Sequence, residues 1–491
     1  MTMTTGSRSG SSDRGRVKRL PDLQNHVAEN LGRLPVVWEA KFLNGPDSRE
    51  DVIHSVLGLA EQGVQVNVWP LPLKGAPADQ GDGQLRSELE KLASQPPDDG
   101  AYFIVLHSSP TDFYHDEHAL YRIGRTALGS ARVPPRWVSA VEHVDEIWVA
   151  STFSRLAMVA SGVPENKIHV MPSSVDTNLF SPTAEPLPIE RGKGFAFMTL
   201  LDWDYRRGLD AVIEAYVREF RKSEDVVLVL KAPDPHRTCT VFTEGDEAAS
   251  FWRELELWLF NRLRQRRSAE DDGREFESIL SAVRDGRLRQ ELRREREVEK
   301  ALTSEIETVV REESGERAKD IPAIRVVSRN LPRSMLPRFY CACDAFVMAP
   351  RGERWGRSFL EAMAVGLPTI GTKWGGHLDF MRPDNSFLVR AKAVIDVPDD
   401  DANPQCAGQQ WAEPDVEHLR ELMRRVYEYR GEAKERGARG ASYVKLHHAR
   451  SKIAPQMVKR LIEIARQKKL EGVLHPSIIA SCDSSEEQEA A

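Results

Sequence analysis

Two separate series of short apolar, β-rich runs, each run followed by an amphipathic stretch, constrain the fold of this 491-residue chain more than any other feature. The first series comprises PVVWEA (35–40), VQVNVWP (64–70), AYFIVLH (101–107), DEIWVAS (145–151) and IHVMPSS (168–174). A break rich in proline (Pro182, Pro186, Pro188) follows. The second series is FAFMTLL (195–201), DVVLVLKAP (225–233), IRVVS (324–328), AFVMAP (345–350) and LPTIGT (367–372). Such runs read as strands buried on both faces, which occur in parallel sheets covered by helices. One covering helix is expected over Asp47 to Gly63, with Val52, Ile53, Val56, Leu57 and Ala60 at helical spacing and Gly63 as its stop. Another is expected over Phe153 to Ser161, ended by Gly162 and Pro164. Two doubly wound α/β domains facing a cleft are the implied architecture, at 34–185 and 190–449, with ligands beyond the carboxyl ends of the strands. A helical region from Asp415 to about residue 470 closes the folded part, and its last helix, 450–470, is expected to complete the first domain.

Composition limits the classes of function. With 68 basic and 75 acidic residues the net charge is −7, so nucleic acid is not expected as a partner of the whole chain, and any anion site must be local. Five cysteines without a repeated CxxC make neither a disulfide framework nor a zinc module, which suits a reducing, cytoplasmic setting. No apolar run reaches the length of a membrane span. Residues 1–33 read as a disordered basic arm, with Arg8, Arg14, Arg16, Lys18 and Arg19 against Asp13 in its first twenty residues. An organelle import segment, or a peripheral contact with an anionic membrane, is the sharper reading of the same arm. The second domain is interrupted by residues 238–320, of which 37 of 83 are charged, so this stretch is expected to be a helical insertion outside the core. It would serve either as a protein-binding element or as solvated packing. The polar tail 471–491 reads as disordered.

The densest chemical signal is RGERWGRSFLEAMAVGLPTIGTKWGGHLDF, residues 351–380, directly after the strand AFVMAP. Glu353 and Glu361 are eight apart, which on one continuous helix separates them by about 80°. A helix that begins near Ser358 would leave Glu353 in the preceding loop. The backbone N–H groups of Gly356, Arg357 and Ser358 would then form an anion site favoured by the helix dipole. That layout suits a sugar diphosphate, with one carboxylate for sugar hydroxyls and the other for a ribose diol. The same residues also spell a capping box, in which Glu361 would only satisfy the N–H of Ser358.

These segments resemble the retaining GT-B glycosyltransferases of the family 4, or group 1, type. The likeness lies in the E-x7-E spacing, in EAMAVGLPTIGT, in VDEIWVASTFSRLAMVASGVPENKIHVMPSSVDTNLFSP (144–182) and in FMTLLDWDYRRGLDAVIEAY (197–216). It covers roughly residues 35–237 and 321–470. The resemblance implies two Rossmann-like domains and transfer of a hexose from a nucleotide sugar to a hydroxyl acceptor (glycan, lipid or protein), with retention and without a metal cofactor. It places Glu353 against the transferred sugar, Glu361 on the ribose, Gly375 and Gly376 near the donor, and Arg207 at the site of the family's phosphate-binding lysine. It also implies a second basic residue five positions before Arg207, where this chain has Asp202. Arg206 could supply the missing cation by turning inward. Asp202 keeps a rival reading in view, a noncatalytic nucleotide-sugar-binding or scaffolding relative.

Other residues are open between readings. His107 ends the third run of the first series, where a substrate-contacting histidine would sit, and is a candidate catalytic residue. Asn44 and Gly45, in the first strand-to-helix loop, would approach acceptor or diphosphate, or simply form a turn. His115 and His118 lack a spaced third ligand, so no metal site is expected there, and Cys341 and Cys343 read as core. No G-x-x-x-x-G-K-[ST] is present, which excludes a P-loop nucleotidase.

Overall fold

The computed structural model describes residues 35–39, 46–69, 91–92, 102–187, 189, 194–200, 204–231, 320, 322–327, 331, 333–397 and 408–468. The expected basic arm, the tail, Asn44, Gly45 and Asp202 lie outside these residues, as does the expected insertion apart from Asp320. Residues 35–458 form one compact unit, and residues 1–34 with 459–491 are assigned to another.

Within the large unit the first sheet has six parallel strands. These are β1 (Val36–Glu39), β2 (Val66–Trp69), β3 (Tyr102–His107), β4 (Ala119–Thr126), β5 (Glu146–Val149) and β6 (Ile168–Val170), in the order β2-β1-β3-β4-β5-β6. Helix α1 (Pro46–Glu61) follows β1 and ends before Gly63, whose φ of +82° suits a residue without Cβ. Helix α2 (Pro135–Ala140) precedes β5, and α3 (Thr152–Ala160) follows it, with Ser151 as the N-cap accepting the N–H of Ser154. Five of the six strands fall on runs expected from the sequence. The sixth, β4, was not expected, because ALYRIGRT carries Arg122 and Arg125 where a buried strand normally carries aliphatics. Its Arg125 is nonetheless buried, for a reason given below.

The second sheet is also parallel and six-stranded. Its strands are β7 (Phe195–Leu200), β8 (Val226–Lys231), β9 (Ala323–Val327), β10 (Ala345–Val347), β11 (Thr369–Thr372) and β12 (Phe387–Val389), ordered β12-β11-β10-β7-β8-β9. This is the 3-2-1-4-5-6 order of a doubly wound sheet. Helices α4 (Leu209–Glu219), α5 (Leu336–Cys341), α6 (Arg357–Ala364) and α7 (Val416–Glu428) belong to this half. Phe197, Val212, Tyr216, Leu228, Val347, Leu419 and Met423 pack the core on the side of α4 and α7. Phe346, Phe359, Leu360, Met363 and Phe380 fill the opposite face, which α8 (Arg430–His447) joins through Val444. Beyond β12 the chain makes an antiparallel ribbon, β13 (Ala391–Asp396) with β14 (Gln410–Pro414), which the sequence reading did not anticipate.

The described chain closes in helices, with Asp415 capping α7 through the N–H of His418. The start of α9 (Arg450–Gln467) packs on the first half. A Cβ on Gly58 of α1 would lie 2.9 Å from the Cβ of Ala454, and Arg450 pairs with Glu61 at 2.7 Å.

Strand order reverses between β1 and β3 in one sheet and between β7 and β10 in the other. At such a reversal the connections leave to opposite faces and open a crevice beyond the carboxyl ends. His107 stands at the end of β3, the turn 204–208 follows β7, and the loop 350–356 follows β10. Topology alone therefore selects these segments as the candidate site.

Candidate functional site

Two loops of the second half are stitched together first. After β7 the chain turns through Tyr205–Arg207, with the Asp204 carboxylate accepting the N–H of Arg206. Gly208 ends the turn at φ +67°, and a Cβ there would be 1.8 Å from the Ala349 carbonyl oxygen, so only glycine lets this turn lie against the end of β10. Arg351 ties the same two segments. Its buried guanidinium bonds both oxygens of Asp210 (2.8 and 2.8 Å) and both of Glu413 (2.7 and 2.8 Å), and lies 3.6 Å from the Tyr205 ring centroid. The Arg351 N–H donates to the Arg206 carbonyl at 2.7 Å. Arg206 itself donates to the Gly352 carbonyl (2.8 Å) and to Asp204 (3.0 Å). The expectation that Arg206 turns toward a diphosphate is thus corrected: the chain uses this guanidinium to hold its own loop.

That scaffold presents Arg207 and Glu353. The two side chains form an ion pair, Nη1 to Oε2 at 3.1 Å, with the carboxylate almost wholly buried. The second Glu353 oxygen accepts the N–H of Arg354 at 2.9 Å, and the Glu353 carbonyl accepts the N–H of Gly376 at 2.9 Å. Gly375 and Gly376 exist for this approach. A Cβ on Gly375 (φ +116°) would be 2.7 Å from the Glu353 carbonyl oxygen, and one on Gly376 would be 2.0 Å from that of Arg354. Gly356 (φ +90°) is the N-cap of α6, so the helix begins at Arg357 rather than at Ser358. Glu361 is then the fifth helical residue, beyond reach of a capping box, and that alternative falls away. Its carboxylate instead accepts the Tyr340 hydroxyl at 3.2 Å and lies 3.9 Å from Arg357. Backbone N–H groups of Arg357 and Ser358 open the helix, where a negative charge is favoured. Gly356 contributes by its turn, since a Cβ there would press on His377 at 2.7 Å.

In the first half, His107 lies 3.5 Å from Asp51, and Asp51 is bound through both oxygens by Arg125 (2.9 and 2.8 Å). Burial outweighs the Asp51 charge and lowers the His107 pKa to about 4, so the ring is neutral at pH 7. Asp51 is held far below the usual carboxylate range; burial opposes this, but the Arg125 charge and hydrogen bonds prevail. Asp51 and Arg125 went unnoticed in the sequence because they lie 74 positions apart.

The halves meet around these loops. A Cβ on Gly129 would be 2.7 Å from the Gly352 carbonyl, the Thr152 N–H donates to Asp379 at 2.8 Å, and Phe153 packs edge-on to Trp374. Burial raises the Asp379 pKa despite that bond. His115 contacts Arg122, Cys343 is buried, and no three-residue His/Cys/Asp/Glu group suited to a metal occurs among the described residues.

Residues 291–400 match the sequence family described as Glycosyl transferases group 1. The match takes in Glu353, Glu361 and the glycine pair, and it begins within the stretch expected to be an insertion. No curated protein sequence matches the chain. Among solved structures, HepE of Anabaena, crystallised with UDP and glucose, superposes with a TM-score of 0.51 at 12% identity, over 88% of this chain and 100% of that one. A glycosyltransferase from Rickettsia africae gives 0.53 at 11%, over 88% and 98%. An α,α-trehalose-phosphate synthase (UDP-forming) from Burkholderia vietnamiensis gives 0.51 at 12%, over 89% and 100%. At these identities the likeness is one of fold, the two-domain GT-B architecture.

Proposed function

We propose that this chain, GT-B in fold and matching the group 1 glycosyltransferases in its donor-side segment, transfers a hexose from a nucleotide sugar to a hydroxyl acceptor with retention of configuration. The observation that carries the reading is the Arg207–Glu353 pair with its buried carboxylate, set where the loops after β7 and β10 diverge and in front of the α6 N-terminus. A sugar diphosphate presents the two charges this pair can sort. Arg207 and the N–H groups of Arg357 and Ser358 would take the leaving diphosphate, and Glu353 would hold the sugar hydroxyls. Glu361 would take the ribose diol. His107, neutral and largely buried, would offer the sugar a hydrogen bond rather than a charge. In a front-face reaction the acceptor oxygen bonds C1 on the side from which the C1–phosphate bond breaks, and the acceptor proton passes to the leaving phosphate. Charge is neutralised by the arginine and the helix, so the reading calls for no metal ion. The UDP, UDP-glucose and UDP-forming names of the structural neighbours make UDP-sugars the first donors to try.

The test is an incubation of the full chain with UDP-, GDP- and ADP-hexoses, following nucleotide release and the anomeric configuration of product by NMR. Release and transfer that vanish in Glu353→Gln, with an axial product from an axial donor, support the reading. Nucleotide-sugar binding without hydrolysis or transfer over the whole donor panel would support the noncatalytic alternative.

A further inference from the structure

We infer that the seam between the two halves holds a phosphate group of the acceptor, gripped by Arg357 and Arg333; this rests on the transfer reading above. The starting point is Arg357, the first residue of α6, which is 4% exposed. Its guanidinium carries five donors, yet among the described residues Nη1 is buried without a hydrogen bond, and Nη2 reaches only the Ser174 carbonyl at 3.4 Å. Glu361, the nearest carboxylate partner, stays 3.9 Å away, beyond hydrogen-bond distance. A buried cation so poorly partnered is costly, and native proteins rarely keep one unless something else completes its shell.

Arg333 stands with it. This guanidinium is also largely buried and pairs with Glu50 and with His54 Nε2 (2.9 Å), on the second and third turns of α1. His54 is kept neutral, its pKa well below normal through burial and then the nearby Arg357 and Arg450 charges, so it accepts from Arg333. Burial lowers the Arg333 pKa to about 10; Glu361 opposes this, while Arg357, Arg450 and Arg49 lower it further, so the cations are close enough to repel one another. Glu50 answers Arg333 and Glu61 answers Arg450. Of Arg333, Arg450 and Arg357, the last stands farthest from its carboxylate, Glu361 at 3.9 Å. A planar fork beside a second guanidinium fits the tetrahedral oxygens of a phosphate better than a neutral hydroxyl.

Position assigns the phosphate to the acceptor. The main-chain N–H of Arg357 opens α6 on the donor side, whereas its side chain runs to Ser174 of the first half. Arg333 likewise reaches α1, which rises from the crevice end of β1. A phosphate monoester on the acceptor would lie there beside the donor, and could also orient the attacking hydroxyl.

The experiment titrates full-length protein by calorimetry with hexose 6-phosphate, with the unphosphorylated hexose and with inorganic phosphate. Wild type is compared with Arg357→Gln, Arg357→Lys and Arg207→Gln. Wild type should bind the hexose phosphate at least about tenfold more tightly than either other probe. Arg357→Gln should erase that difference, Arg357→Lys should restore it in part, and Arg207→Gln should leave it; should the glutamine variant fail to fold, the lysine variant carries the comparison. Phosphate affinity lost in Arg207→Gln but kept in both Arg357 variants would move the anion to the donor site and overturn the inference. So would inorganic phosphate binding as tightly as the hexose phosphate, or no binding of either at millimolar concentration. Phosphate binding of the expected pattern in a protein that turns over no nucleotide sugar would leave the seam site standing and refute the transfer reading. Turnover onto neutral acceptors with no phosphate binding would do the reverse.

Discussion

Replacing Glu353 by glutamine should weaken the fold, tighten the nucleotide and slow transfer sharply, three effects of one lost charge. Arg207 and Glu353 are 3.1 Å apart with side chains 13% and 3% exposed. Glutamine keeps an oxygen for the Arg354 N–H but leaves Arg207 buried beside a neutral amide, which costs about 3 kcal/mol, the low end for a broken buried pair because Arg207 retains some solvent. In the wild type the carboxylate also repels an incoming diphosphate. At about 5 Å and an effective dielectric near 20 the repulsion is roughly 3 kcal/mol per unit charge, and about half of that survives compensation by Arg207 and solvent. Nucleoside diphosphate should therefore bind Glu353→Gln about tenfold more tightly. Transfer should nevertheless fall by about 10²–10³, since the group that orients the sugar is gone. Differential scanning calorimetry, titration with UDP at two salt concentrations and a turnover assay read the three effects. A folded variant whose UDP affinity is unchanged or weaker would show that Arg207 does not meet the diphosphate, and the assignment of this crevice would fail.

The two adjacent arginines should separate cleanly: Arg207→Gln weakens nucleotide binding in a salt-dependent way, whereas Arg206→Gln lowers the melting temperature through the freed Gly352 and Asp204 groups and leaves the salt slope of nucleotide affinity as in wild type. Asp51→Asn strands the buried Arg125 and should cost about 3–5 kcal/mol in denaturant unfolding; a loss under about 1 kcal/mol would contradict the pairing. Burial lowers the pKa of both His107 and His448 to about 4. The unfolded chain therefore binds protons first, and stability that is complete above about pH 6.5 should decline as pH falls to about 4, by roughly 3 kcal/mol per histidine. Thermal melts between pH 7 and 4.5 that show no decline would argue against their burial.

Part of the site was legible because its chemistry is local in sequence. Glu353, the helix start and Glu361 lie within nine residues, and the glycine pair begins fourteen residues later. Spacing could not decide between a ribose ligand and a capping box. The position of the N-cap removed the capping box and left the ribose role as a proposal; that one residue of shift in a helix start turns on Gly356 adopting a left-handed conformation against His377. Arg206 differs for a related reason, since a basic residue in this turn looks available until the Gly352 carbonyl is seen in front of it.

The sequence by itself determined five of the six strands in each sheet, missing β4 and β12, their parallel arrangement under helices and the segment that carries the acidic pair, because burial of a strand on both faces leaves a mark in each short run. Only the tertiary structure decided the partners. Strand β4 could hold Arg125 inside because Asp51 arrives from another element, and Arg351 could be buried because Asp210 and Glu413 converge on it from both directions along the chain. The energy of a buried charge depends on what stands within a few ångströms, and that distance is set by how sheets and helices close on one another, not by neighbours in the chain.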